Sequence, residues 1–232
     1  MSKLYTNPPL VESVFEIRFP PELAIECRKD EYYDLIRNEF PEVNLPIGDS
    51  PEPYPMRNYL FRDNNREKGV QFSINKFSFH RYKYLGFNQF KGEVLRYLRS
   101  FAERFRIQTL YRTGLRYVNH IPILREEGVI PLGKFLNFGY KTPKSIPEAY
   151  DFLHTVLFIK LGEGSLRVLI QYRKLQDEKE TEIIILDFDY FFEGNLEFSK
   201  IETYIEKSHK HTKQIFEDLI KDYYKRIMDM EP

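Results

Sequence analysis

A chain of 232 residues, 42% hydrophobic and 16% aromatic, has apolar surface enough for a substantial core, and its charges are too evenly mixed for an unfolded polyelectrolyte. One cysteine, Cys27, excludes an internal disulfide, and the longest apolar runs, such as IIIL at 183–186, fall far short of the roughly 20 residues that cross a bilayer. The first residues, MSKLYTNPPLVES, lack the apolar core of an export signal, so a cytoplasmic setting is expected.

Net charge is zero, but residues 1–56 carry −6, residues 57–125 carry +11 and residues 126–232 carry −5. A basic stripe of that size is a footprint of nucleic-acid binding, unless the acidic flanks fold against it and cancel it. The first predicted element is a strand at 9–19, PLVESVFEIRF, in which Val11, Ser13, Phe15 and Ile17 alternate with Glu12, Val14, Glu16 and Arg18. Pro20 and Pro21 end it and open a helix over about 22–40, with Leu23, Cys27, Leu35, Ile36 and Phe40 as apolar positions. Five prolines within 41–56 predict a loop. Strands follow at 57–63, 69–75 and 77–85. A helix at 92–106 then places Val94, Leu98, Phe101 and Phe105 on one side, with Arg96, Arg99, Glu103 and Arg106 on the other.

The pattern then begins again, with a strand at 107–123, a short helical piece at 131–138, strands at 149–161, 165–173 and 182–190, and a closing helix at 197–229. The expected fold is α+β and one compact unit over 1–232: a curved, mainly antiparallel sheet with helices on one face. Its pseudo-repeat halves, 1–106 and 107–232, would each be a β-α-β-β-β-α unit, resembling the architecture of TATA-box-binding protein. A helix-grip arrangement, with the sheet wrapped round the final helix and a ligand cavity enclosed, competes with it. A continuous final helix of about 33 residues would measure ~50 Å, and its surplus length offers a surface for a homodimer.

Two stretches carry a family resemblance. NPPLVESVFEIRF at 7–19 and GLRYVNHIPI at 114–123 resemble a sporadically distributed bacterial family whose members open on a Pro-Pro-Leu-Val-Glu strand and carry a Gly-Leu-Arg-Tyr-x-Asn strand in mid-chain. SHKHTKQIFEDLI is similar to the family's final helix, with His209 seven residues before Phe216 and Thr212 where an aliphatic residue is expected. The resemblance covers both ends and the middle, and it implies no particular activity.

Arg116, Asn119 and His120 of the mid-chain stretch, with His209, are therefore the candidate ligand-binding residues. On the 114–123 strand Leu115, Tyr117, Asn119 and Ile121 share one face and Arg116, Val118 and His120 the other; Glu12 or Glu16 is the expected partner of Arg116. His209 and His211 lie two apart, about 200° round a helix, so they cannot grip one metal ion together. Asp187 and Asp189 share a sheet face and suit Mg²⁺, yet Ile183 and Ile185 share it too, so the pair is expected at a strand end that reaches water. In FSFHRYKY at 77–84 Phe77, Phe79, Arg81 and Lys83 share a face; with Arg96 and Arg99 they form the candidate nucleic-acid surface. No pattern implies a cofactor. The reading is a non-enzymatic binding or accessory module acting with a protein partner in a bacterial system. The alternatives are a nucleic-acid-binding module using 57–125 and a metal-dependent enzyme using Asp187 and Asp189.

Overall fold

The computed structural model describes residues 5–46, 53–139, 145, 152–176 and 180–230. The first half runs β1 (Leu10–Arg18), α1 (Ala24–Ile36), β2 (Glu42–Asn44), β3 (Tyr59–Arg62), β4 (Lys68–Ser73), β5 (Lys76–Arg81) and α2 (Phe87–Phe105). The second runs β6 (Thr109–Pro122), α3 (Leu132–Phe135), β7 (His154–Leu161), β8 (Gly164–Lys174), β9 (Glu182–Glu197), α4 (Ile201–Leu219) and α5 (Asp222–Asp229). The fold is α+β, as the alternation of strand and helix patterns predicts. Among the described residues nine strands form one open antiparallel sheet in the order β2-β3-β4-β5-β1-β6-β9-β8-β7. The order reads alike outward from the central β1–β6 pair, β5-β4-β3 on one side and β9-β8-β7 on the other. The symmetry is one of strand order: α1 has 13 residues where α3 has 4, and β2 has no counterpart among the described residues.

Alternation of side chains decides which face takes the helices. Phe15 and Ile17 of β1, Phe77 and Phe79 of β5, Leu115 and Ile121 of β6, and Phe188 of β9 point inward and are fully buried. Helices α1, α2 and α4 cover this face, and one hydrophobic cluster runs through both halves of the chain. Phe101 of α2 lies at its centre, its ring 4.8–5.9 Å from those of Phe19, Tyr32, Phe72, Phe77 and Phe105. The predicted stripe Val94, Leu98, Phe101 and Phe105 is the buried face of α2. In α1 the buried residues are Ile25, Tyr32 and Ile36, whereas Leu23, Cys27 and Leu35 are exposed. The non-helical backbone at Arg28 interrupts the helix between the misjudged positions and shifts their phase.

Three other expectations change. The loop at 41–56 contains β2, paired with β3, and a single 3-10 turn at Tyr54–Met56, while 47–52 lie outside the described residues. The strand expected at 149–161 begins at His154, with 149–151 outside the described residues. The closing helix is not continuous over 197–229. It breaks at Ile220, whose extended backbone (ψ 132°) pairs with Leu136. The Asn137 N–H donates to the Leu219 carbonyl at 2.7 Å and the Lys221 N–H to the Phe135 carbonyl at 2.8 Å. The last turns therefore fold back on α3, and the surplus helix proposed for a homodimer does not exist as such. No helix among the described residues is long and apolar enough to cross a membrane.

Candidate functional site

On the helix-free face of the sheet Arg116, an even-numbered residue of the 114–123 strand, enters a lattice of ion pairs. Arg116 is held by Asp187, not by Glu12 or Glu16: its Nε and Nη2 donate to the two carboxylate oxygens at 2.8 and 2.9 Å. Arg167 of β8 adds a third bond to Asp187 at 2.9 Å. Glu12 instead meets His80 at 3.0 Å, and Glu16 meets Arg112 at 2.8 Å. Arg112 also reaches Asp189 at 3.2 Å. That pair passes over Gly114, where a Cβ would lie 3.1 Å from Arg112 Nη1 and 3.3 Å from Asp189 Oδ1. The glycine leaves room for the pair.

Asp187 and Asp189 thus sit in the middle of a 16-residue strand, not at a wetted end, and Asp187 is only 1% exposed. Burial pushes the Asp189 carboxyl up against the opposing pull of Arg112 and Arg167. A divalent cation there would have to displace guanidinium groups from both carboxylates.

The basic middle segment is likewise matched, in part by its own carboxylates and in part by the acidic flanks. Arg81 is buried beneath Lys83, donating to its carbonyl at 2.8 Å, and pairs with Glu93 at 3.3 Å. Lys83 meets Glu67 at 2.8 Å, Arg96 pairs with Glu39, and Arg99 meets Glu202 at 3.0 Å. Phe77 and Phe79, expected as base-stacking rings, are core residues under α1 and α2.

The odd-numbered residues of the same strand face the helices and meet a cavity of about 120 Å³. Its wall joins the three stretches that carry the family resemblance: Pro8, Pro9 and Leu10 from the first, Tyr117 and Asn119 from the second, His209, Thr212 and Phe216 from the third. Phe87 at the start of α2 and Phe188 of β9 complete the apolar lining, and Tyr84, Lys213 and Glu217 also contribute. The N-terminal segment is strapped across it, the Asn7 N–H donating to the Met228 carbonyl and the Tyr5 hydroxyl to Glu217 at 2.7 Å.

The polar groups of this wall are nearly all engaged. His209 stacks on Phe87 with ring centres 3.7 Å apart, and its Nδ1 shares a 3.0 Å hydrogen bond with the Tyr117 hydroxyl. The Asn119 amide donates to the Leu186 carbonyl at 3.1 Å. Thr212 is an exception: it is 1% exposed and its Oγ1 has no partner among the described residues. Of the eight candidate residues only Asn119 and His209 come together here. Arg116 lies on the opposite face, His120 lines a separate cleft with Pro122 and Ile183, and Arg81, Lys83, Arg96 and Arg99 are spread over other ion pairs. Tyr117, Thr212 and Phe87 were not among the candidates. The first two stand inside the resembling stretches, and Phe87 carries no local signal.

Burial, reinforced by Lys213, pulls His209 down to about 4. Its unfolded value is about 6.5, so between pH 6.5 and 4 the unfolded chain takes up the proton and the folded one does not. Stability is expected to fall through that window, by at most about 3 kcal/mol from this residue. Urea unfolding of the wild type and His209→Gln at pH 7 and 4.5 checks it: the variant should lose less stability on acidification, and equal losses would place His209 in water.

Compared with protein-family models and with curated proteins, the chain has no match. The site therefore rests on its geometry.

Proposed function

We propose that the chain is a non-enzymatic binding module, and that its binding element is the cavity between β1, β6 and the α2 and α4 helices. One observation carries this reading: stretches near residues 8, 117 and 212, remote in sequence, converge on the wall of a single cavity. Concave, mostly apolar cavities with a few polar groups in the wall are where small ligands usually bind. The accessory half of the reading, a protein partner, is supported by β7, which is an edge strand among the described residues and carries Phe158 at 72% exposure.

The test is a fragment screen by thermal shift on the wild type and on Phe216→Trp, which narrows the cavity. Binders should raise the wild-type Tm by about 2–4 °C per kcal/mol of binding free energy and lose that effect in the variant. A wild type that responds to no fragment defeats the reading. Retention on mixed DNA or RNA at low salt, falling steeply with added salt, would favour the nucleic-acid alternative instead.

A further inference from the structure

We propose that the cavity takes a small aromatic monoanion, with one planar apolar ring inside and one carboxylate held at the mouth by Lys213. The inference rests on the binding reading above and adds the chemical class of the ligand.

Size and shape limit the apolar part. A cavity of about 120 Å³ is too small for a nucleotide or a peptide. Apolar cavities of roughly this volume accept one benzene-sized ring. Much of the wall is aromatic, from Phe87, Phe188, Phe216, Tyr84 and Tyr117. Flat walls favour a flat guest, through stacked and edge-on contacts.

Charge decides the rest. The titratable groups of the wall are Tyr5, Tyr84, Tyr117, His209, Lys213 and Glu217. Burial keeps the tyrosines protonated and His209 neutral at pH 7, so only Lys213 and Glu217 are charged. These two are not equivalent. Glu217 accepts from the Tyr5 hydroxyl at 2.7 Å and lies 3.8 Å from Lys225, so its charge is met. Lys213 stands four residues earlier on the same helix face, where Glu217 would ordinarily be its partner. With Glu217 taken by Tyr5 and Lys225, Lys213 has no acidic partner among the described residues. Its field is felt inside the wall, where it adds to burial in keeping His209 neutral.

Lys213 is half-buried, and such a lysine lays its stem on apolar surface with the ammonium towards water. The cation is thus offered at the mouth of an aromatic cavity. A carboxylate there keeps part of its hydration and gains a charge-assisted hydrogen bond, while the ring behind it is buried. One uncompensated cation matches a monoanion. A phosphate ester carries about two negative charges at pH 7 and would leave one unmatched, and a cationic ring would meet like charge.

Three probes separate the outcomes: benzoate, toluene and benzylammonium, titrated into the full chain at pH 7 by ligand-observed NMR. Benzoate should bind tightest and benzylammonium weakest, and added salt should weaken benzoate but not toluene. Lys213→Met, which drops the charge and keeps an apolar stem, should lose about tenfold in benzoate affinity. Its toluene affinity should be unchanged, which shows that the cavity is intact. Lys213→Arg should keep the preference for benzoate. Toluene or benzylammonium binding as tightly as benzoate in the wild type overturns the ligand class and leaves the binding module standing, as does an unchanged benzoate affinity in Lys213→Met. Binding of none of the three to the wild type also overturns the ligand class, and the fragment screen then decides whether the binding module falls with it.

Discussion

Asp187→Ala should destabilise the fold by about 2–3 kcal/mol, although its side chain lies on the other face of the sheet from the cavity. Its carboxylate is buried and takes three charge-assisted hydrogen bonds, two from Arg116 and one from Arg167. Losing one partner of a buried pair generally costs about 3–5 kcal/mol, because the other is left uncompensated. The figure is lower here because the Arg116 and Arg167 side chains are 43% and 29% exposed and can turn towards water. Arg116→Ala should cost about as much, and the double variant clearly less than the two together. Urea unfolding of the four proteins measures it, and a loss below about 1 kcal/mol would class the lattice with ordinary surface pairs. Neither variant should change ligand affinity at the cavity, which lies across the sheet. An Arg116→Ala protein of wild-type stability with lost binding would reverse the assignment and make Arg116 a site residue.

Phe101→Ala is the most damaging single change expected, at about 4 kcal/mol, or a fall of about 8–16 °C in Tm for a chain of this size. The ring is fully buried and packs on five other aromatic rings drawn from β1, α1, β4, β5 and α2 or their ends. Aromatic neighbours held by helix and sheet backbone cannot close the gap, so the lost burial and the cavity left behind add together. Phe158→Ala on the exposed edge is the control and should stay within about 0.5 kcal/mol of the wild type. A Phe101 variant as stable as that control would mean that the core does not pack as described.

Gly114, Leu115, Arg116, Tyr117 and Asn119 now have separate physical duties. Gly114 and Arg116 serve the ion-pair lattice on one face, Leu115 the core, and Tyr117 and Asn119 the cavity on the other. One strand therefore ties the stability of the sheet to the shape of the site. The same division explains why a strand that reads as mixed on both faces is nonetheless satisfied on both.

Alternation and helical spacing were enough to place eight of the nine described strands, all but β2, with the buried side of α2 and the two faces of the 114–123 strand, because each depends only on neighbours along the chain. The α+β class followed from the order of those elements. Partners across the sheet could not be read that way. Arg116 meets Asp187, 71 residues distant, because β9 lies beside β6, and no local pattern encodes which strand becomes a neighbour. Phe77, Phe79 and Arg81 looked like a nucleic-acid surface until α1 and α2 covered them. The break at Ile220 depends on a bridge to Leu136, which only the packed chain supplies. Likewise the resembling stretches marked residues without saying what they do. It took the pairing of β1 with β6, and the seating of α4 across them, to turn Pro9, Tyr117 and Thr212 into the walls of one cavity.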